Sequence, residues 1–291
     1  MTAGERRPLT WRQRIEEALD TAVDSVEPLG GGCIGQVFHL ELADGEERVA
    51  KVDEGPEPRL DVEGYMLQYL QQHSNLPVPQ VYLAEPDLLV MEFLPGDSRF
   101  SAGAQEHAAE LLAALHDVSS DRFGLERSTL IGGLHQPNPW YDTWITFFVE
   151  KRLLYMAREA EMSGRLPAAV RRRVERLVVN LHRWLHEPEA PSLIHGDVWT
   201  TNVLAQGGCI TGFLDPAIYY AHPEIELAFI TLFNTFGEPF FRRYRQLRPI
   251  EAGFFEERRD LYNLYPLLVH VRLFGGSYVQ SVKGILGKFG F

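Results

Sequence analysis

The stretch from Leu193 to Pro216 constrains this chain of 291 residues most, because it sets three oxygen-bearing side chains at fixed separations. Asp197, Asn202 and Asp215 stand five and thirteen residues apart (202 − 197 and 215 − 202). That is the spacing of a phosphoryl-transfer catalytic loop followed by a metal-binding aspartate. Such chemistry needs one carboxylate to orient and deprotonate an acceptor hydroxyl, and two further oxygens to hold Mg²⁺ on the triphosphate of ATP. Asp197 suits the first role, since it comes after His195-Gly196 at the end of Leu193-Ile194, which reads as a short buried strand. Asn202 and Asp215 suit the second. A lone His-Gly-Asp is common in turns. Here the residues between Asn202 and Asp215 read as a hairpin turning at Gln206-Gly207-Gly208, so both ends return to one edge and the two ligands can meet one ion.

Upstream, Gly30, Gly32 and Gly35 satisfy Gly-x-Gly-x-x-Gly, with Val37 two residues on. Glycine clusters also make plain turns, and the residues downstream of Gly35 decide between the readings. A dinucleotide fold would enter a helix, whereas Val37 to Leu42 alternates as a strand, turns at Asp44-Gly45 and returns as Arg48 to Val52. A glycine loop between strands predicts backbone amides covering phosphates, with Gly30, Gly32, Cys33, Ile34, Gly35 and Val37 against the nucleotide. Lys51, ending Val49-Ala50-Lys51, is expected to grip the α and β phosphates. Glu63, in the first turn of a helix from Asp61, is its expected acidic partner. Val81 to Leu83 and Leu88 to Leu94 read as strands, and Met91, Glu92, Phe93 and Leu94 as the hinge whose backbone meets adenine.

Helical periodicity marks Thr10 to Val23 behind a Thr10 N-cap, Ala104 to Val118, and Pro167 to His186 with Val170, Val174, Leu177, Leu181 and Leu185 inward. His116 reads as a helix C-terminal histidine. The loop from Phe123 to Trp140 is too rich in aromatic residues, proline and glycine to be mere linker. With 45% apolar residues the chain can bury two cores. The expectation is a nucleotide-binding lobe over residues 1–95 and a catalytic and substrate-binding lobe over 96–291.

Lys plus Arg number 28 against 40 Asp plus Glu, a net charge of −12. This argues against a nucleic-acid or anionic-membrane surface and suits a small or cationic partner. No apolar run approaches the ~20 residues that span a bilayer, and Met1 to Trp11 is too polar for a signal peptide, so a cytoplasmic location is expected. Cys33 and Cys209 are too few for a disulfide framework and too isolated for zinc. A monomer is expected, with a Cys33 to Cys33 link between two chains on oxidation, because a thiol in a mobile, electropositive glycine loop favours thiolate.

Four segments carry a resemblance: His195 to Trp199, Asp215 to Tyr220, Ile131 to Trp140 with Gln136 and Asn138, and Leu261 to His270. On these the chain resembles the fructosamine kinases (ketosamine 3-kinases), a branch of the aminoglycoside-phosphotransferase group, from about residue 29 to 289. The resemblance implies an α+β fold, bilobal and protein-kinase-like, with a small antiparallel sheet in one lobe and a larger, mainly helical second lobe. It implies ATP-dependent phosphorylation of the 3-hydroxyl of a ketosamine, the adduct left on a glycated amine. Trp140, Trp199, Tyr219, Tyr220, Gln136 and Asn138 are then the expected substrate contacts. The chain departs from the family pattern at Thr200-Thr201, Pro223 and Glu226. A kinase for an aminoglycoside or choline, and a nucleotide-binding pseudokinase, are the alternatives; Trp199 and the Gln136/Asn138 loop oppose the first, and joint retention of Lys51, Asp197, Asn202 and Asp215 the second.

Overall fold

The computed structural model describes residues 9–30 and 35–291. Thr10 opens α1 (Trp11–Leu19) with a reciprocal capping box. Its hydroxyl accepts from Gln13 N at 3.3 Å, and its own N donates to the Gln13 amide oxygen at 2.9 Å. The helix stops at Leu19, short of the expected Val23, because Asp20 turns into the left-handed region at φ 51°. Val23 instead begins β1 (Val23–Leu29), which pairs antiparallel with β2 (Gln36–Leu42). β1 is largely exposed and is defined by its pairing rather than by its own alternation.

Next come β3 (Glu47–Val52), α2 (Leu60–His73), β4 (Val81–Glu85) and β5 (Leu88–Glu92), giving an antiparallel sheet in the order β1-β2-β3-β5-β4. Alternate residues face opposite sides of a strand. On β3, Ala50 and Val52 therefore pack with Ile15 of α1, Leu40 and Val90, while Val49 joins the core shared with the second lobe. Lys51 shares the face of Val49. The central strand thus carries a lysine into the interior, where it is 7% exposed.

The second lobe begins with α3 (Ala102–His116) and the hairpin β6 (Thr129–Ile131) and β7 (Leu134–Gln136). α4 (Trp144–Phe147) runs through a π-helical stretch, Phe148–Leu154, into α5 (Tyr155–Met162). α6 (Ala168–Val178) is shorter than the helix expected to His186, which gives way to a 3₁₀ turn at Leu181–Arg183; its five predicted apolar residues are all buried. β8 (Ser192–Ile194), the hairpin β9 (Val203–Gln206) and β10 (Cys209–Phe213), and β11 (Tyr219–Ala221) carry the functional loops. α7 (Glu224–Leu232), α8 (Glu238–Leu247), α9 (Arg259–Phe274) and α10 (Tyr278–Lys288) complete the lobe. The expected two-lobed α+β architecture is the one observed. Among the described residues no helix is long and apolar enough to cross a membrane.

The helical lobe is built around aromatic residues. Trp144 is fully buried, stacks on Phe148 with ring centroids 5.3 Å apart, and donates its indole N–H to the Tyr262 hydroxyl at 3.1 Å. Trp144→Ala should cost roughly 3–5 kcal/mol, since the cavity left cannot collapse among stacked rings. Urea unfolding checks this, and a loss below about 1 kcal/mol would mean that the rings repack.

Candidate active site

A cavity of about 810 Å³ lies between the sheet and the helical lobe. Leu29, Gly30 and Val37 line it from one side, Met91, Glu92, Phe93 and Leu94 from the end of β5, and Asp197, Asn202 and Asp215 from the other lobe. Gly32, Cys33 and Ile34 lie outside the described residues. Gly35 is held at φ +70°, where an added Cβ would stand 2.5 Å from the Val52 carbonyl oxygen, so a side chain there is excluded.

The sheet, α2 and the second lobe meet at one ammonium. Lys51 Nζ donates to Glu63 Oε1 at 2.5 Å and also to Asp215 Oδ1. Burial disfavours the charged lysine, but the two carboxylates outweigh it and raise its pKa. Asp215 is likewise opposed by burial and held below the usual carboxylate range by Lys51. Burial pushes Glu63 upward. Asp215 has φ 51°, a conformation rarely adopted outside glycine and tolerated best by Asp and Asn.

Asp197 and Asn202 are joined by a single turn. Asn202 N donates to Trp199 O at 3.0 Å, closing the 3₁₀ turn Thr200–Asn202, and the Asn202 amide nitrogen reaches Asp197 Oδ2 at 2.9 Å. Leu214 N donates to Asn202 O at 2.8 Å, which ties the start of the β9–β10 hairpin to the residue before Asp215. Burial, then the charge of Asp215, push Asp197 up to about 8. A cation at Asp215 would act in the opposite sense. His195 is fully buried, and burial takes it down to about 4, so it is neutral.

Glu226 anchors the catalytic strand from beneath. Its Oε1 accepts from Gly196 N at 2.6 Å, and its Oε2 accepts from His116 Nε2 at 2.9 Å, with the Tyr244 hydroxyl 2.7 Å from His116 Nδ1. Burial alone would raise this carboxyl, but the hydrogen bond from His116 and the other contacts hold it below its ordinary value. Gly196 is at φ +86°, and a Cβ there would lie 2.2 Å from Ala217 O. Glu226 thus fixes the backbone immediately before Asp197. The family pattern made this residue a departure. Its physical signal was an acid placed among the buried residues Ile225, Leu227 and Ala228, and His116 is its partner rather than a simple helix end.

The expected substrate contacts divide. Trp199 and Tyr219 line the cavity. Gln136 and Asn138 do not: each is 1% exposed and its amide is consumed behind the wall. Gln136 donates to Thr129 Oγ1 at 2.9 Å and Ala217 O at 3.0 Å and accepts from the Tyr265 hydroxyl at 2.6 Å. Asn138 donates to Thr129 Oγ1 at 2.8 Å and accepts from Arg152 Nη2 at 2.6 Å. Tyr220 turns away from the cavity, its hydroxyl 3.2 Å from that of Tyr69 on α2, and Trp140 packs beside it with ring centroids 6.4 Å apart. Tyr265, His270 and Phe274 of α9, together with Phe229 of α7, line the cavity instead. The segment Leu261 to His270 was the available signal for Tyr265 and His270.

Glu226→Ala should lower kcat roughly 10-fold to 100-fold, the worth of a hydrogen bond to a charged group, with the KM for nucleotide nearly unchanged. Steady-state kinetics check this. A parallel rise in nucleotide KM would mean that Glu226 supports the lobe as a whole and not the loop.

The sequence profile of the family described as fructosamine kinase matches residues 10–289. A Synechocystis protein named a probable ketoamine kinase is 32% identical, over 96% of this chain and 96% of its own length. The chloroplastic protein-ribulosamine 3-kinase of Arabidopsis thaliana is 31% identical, over 94% of this chain and 85% of its own. A solved structure from Thermobifida fusca, provisionally named a fructosamine-3-kinase, superposes with a TM-score of 0.83 at 32% identity, covering 95% of this chain and 98% of that one. A match that runs from the cap of α1 to the end of α10 leaves no part of the fold to another family, and the chain belongs to the fructosamine kinases.

Proposed function

We propose that this chain transfers the γ-phosphoryl group of ATP to a sugar hydroxyl of a ketosamine, the 3-hydroxyl in the chemistry of its family, and so acts on amines that have been glycated. The observation that carries the reading is the convergence of Lys51, Glu63, Asp197, Asn202 and Asp215 on one cavity. The same cavity is edged by the end of β5, where Met91 to Leu94 offer backbone and apolar surface to adenine. Its carboxylates Glu92, Asp215 and Glu226, set against the ammonium of Lys51, suit a substrate whose secondary amine is cationic.

The residues fit Mg²⁺. Asn202 and Asp215 offer oxygen donors, and among the described residues the Asn202 side-chain oxygen is engaged only by a 3.5 Å contact from Thr201. Among the described residues no cluster of three His, Cys, Asp or Glu forms a closed metal cage. This accords with a hard ion that takes its remaining ligands from phosphates and water. When bound, Mg²⁺ neutralises charge on the β and γ phosphates. The chain's own part is positional. Asp197, held by the Asn202 amide, accepts the proton of the attacking hydroxyl, while Glu63 orients Lys51 toward phosphate oxygens. The tie from Leu214 N to Asn202 O keeps the two proposed ligands in fixed relation. We take the nucleotide-binding lobe to end near residue 95 and the substrate-binding lobe to begin there.

ATP turnover with fructosyl-lysine, ribulosyl-lysine, an aminoglycoside and choline tests the reading side by side. Turnover confined to the ketosamines is expected, and turnover confined to either of the others would refute it. Asp197→Ala should reduce kcat on the best ketosamine about 10²-fold to 10⁴-fold while leaving ATP binding nearly intact. Asp215→Ala should weaken Mg-ATP binding as well.

A further inference from the structure

Beside the main cavity lies a smaller one of about 260 Å³, which shares Glu63, Leu130 and Gly133 with it. The tip of the β6–β7 hairpin is therefore a common wall, and the second cavity opens where the floor of the first reaches α2. Its lining is unlike the aromatic main cavity. Arg59 and Arg272 supply positive charge, and Asp53, Glu57, Glu63 and Glu159 supply negative charge, of which Glu57 pairs with Arg59 at 3.8 Å and Glu63 with Lys51. Arg272 and Glu159 are half-buried. Among the described residues neither has an ion-pair partner within 4.0 Å, whereas charges close to them in the chain are paired: Glu161 with Arg171 at 2.5 Å and Asp260 with Lys288 at 2.6 Å. Tyr155 lines the cavity with them. Burial raises its hydroxyl pKa, and Glu159 adds to the rise while Arg272 opposes it. Its hydroxyl meets His135 Nδ1 at 3.1 Å.

Two half-buried charges of opposite sign, near each other and not neutralised by each other, carry a desolvation cost that a ligand can offset. An anion would satisfy only the arginine, and a cation only the glutamate. A group bearing both charges satisfies the pair. We propose that this cavity receives the α-amino-acid end of a ketosamine whose sugar lies at Asp197, with Arg272 meeting the carboxylate and Glu159 the α-ammonium. The inference rests on the kinase reading above and adds the carrier that the enzyme selects. Leu130 and Gly133 border both cavities, and the carboxylate of Glu63, the third shared residue, is already paired with Lys51, which leaves an apolar edge for the aliphatic link between sugar and amino-acid head.

The test uses the full chain and three adducts of one sugar: on the ε-amine of lysine, on the same amine of Nα-acetyl-lysine, and on butylamine. Arg272→Gln should raise KM roughly 10-fold to 100-fold for both carboxylate-bearing adducts, as loss of a hydrogen bond between charged groups does, and leave kcat, the butylamine adduct and the ATP KM unchanged. Arg272→Lys should recover part of the loss. Glu159→Gln should raise KM for the lysine adduct alone, because acetylation removes the ammonium that it meets. A rise that is equal for the butylamine adduct, no rise for any adduct, or a rise in the ATP KM would each overturn the assignment, the last by giving Arg272 to phosphates. If the unaltered enzyme turned over none of the three adducts, the kinase reading itself would fail, a result distinct from loss of discrimination between carriers.

Discussion

The buried ammonium of Lys51 is the point on which the two lobes agree. It is carried inward by the central strand, and its partners come from α2 and from the segment after β10. An unpaired charge at that depth would cost several kcal/mol, and breaking a buried pair by removing one partner typically costs about 3–5 kcal/mol. The sheet, the helix and the catalytic hairpin are therefore held to one mutual position by electrostatics rather than by apolar contact alone. Such pairs add little net stability compared with well-packed apolar side chains, and their use here is to specify geometry.

A second constraint acts from below. Gly196 needs a left-handed backbone with no Cβ, and Glu226 takes its N–H. The left-handed turn before Asp197 is thus supported by a carboxylate whose other oxygen is already committed to His116. Behind the opposite wall, the Thr129 hydroxyl accepts from Gln136 and Asn138 and donates to the Ile218 carbonyl at 3.3 Å. One hydroxyl so links the β6–β7 hairpin to the segment between Asp215 and β11. Both devices lie outside the reacting atoms and determine where those atoms can be.

The sequence made legible whatever depends on local spacing. Asp197, Asn202 and Asp215 could be read as one group because a hairpin of known length returns to its origin. Lys51 could be read because a glycine loop and two alternating strands precede it. What escaped depends on which side of a wall a polar residue faces. Gln136 and Asn138 have the chemistry of sugar ligands, yet Tyr265 and Arg152 claim them first, and both partners are more than ten residues away in the chain. β1 escaped because a mostly exposed strand is defined by its neighbour, and α6 was overextended because the apolar period continues past Val178 into the 3₁₀ turn. Glu226 escaped because its value lies in a backbone amide thirty residues earlier, which no pattern of side chains reports.

The acid-lined cleft has a consequence for the end of the catalytic cycle. Glu92, Asp215 and Glu226, set against the ammonium of Lys51, give the cavity a surplus of negative charge that suits the entry of a cationic adduct. In the proposed reaction that adduct leaves bearing a phosphate, whose charge of about −1.5 to −2 at neutral pH reverses the sign of its attraction to the same wall. The fixed charges that favour entry then favour departure. In the proposed cycle the acidic wall thus opposes rebinding of the phosphorylated product.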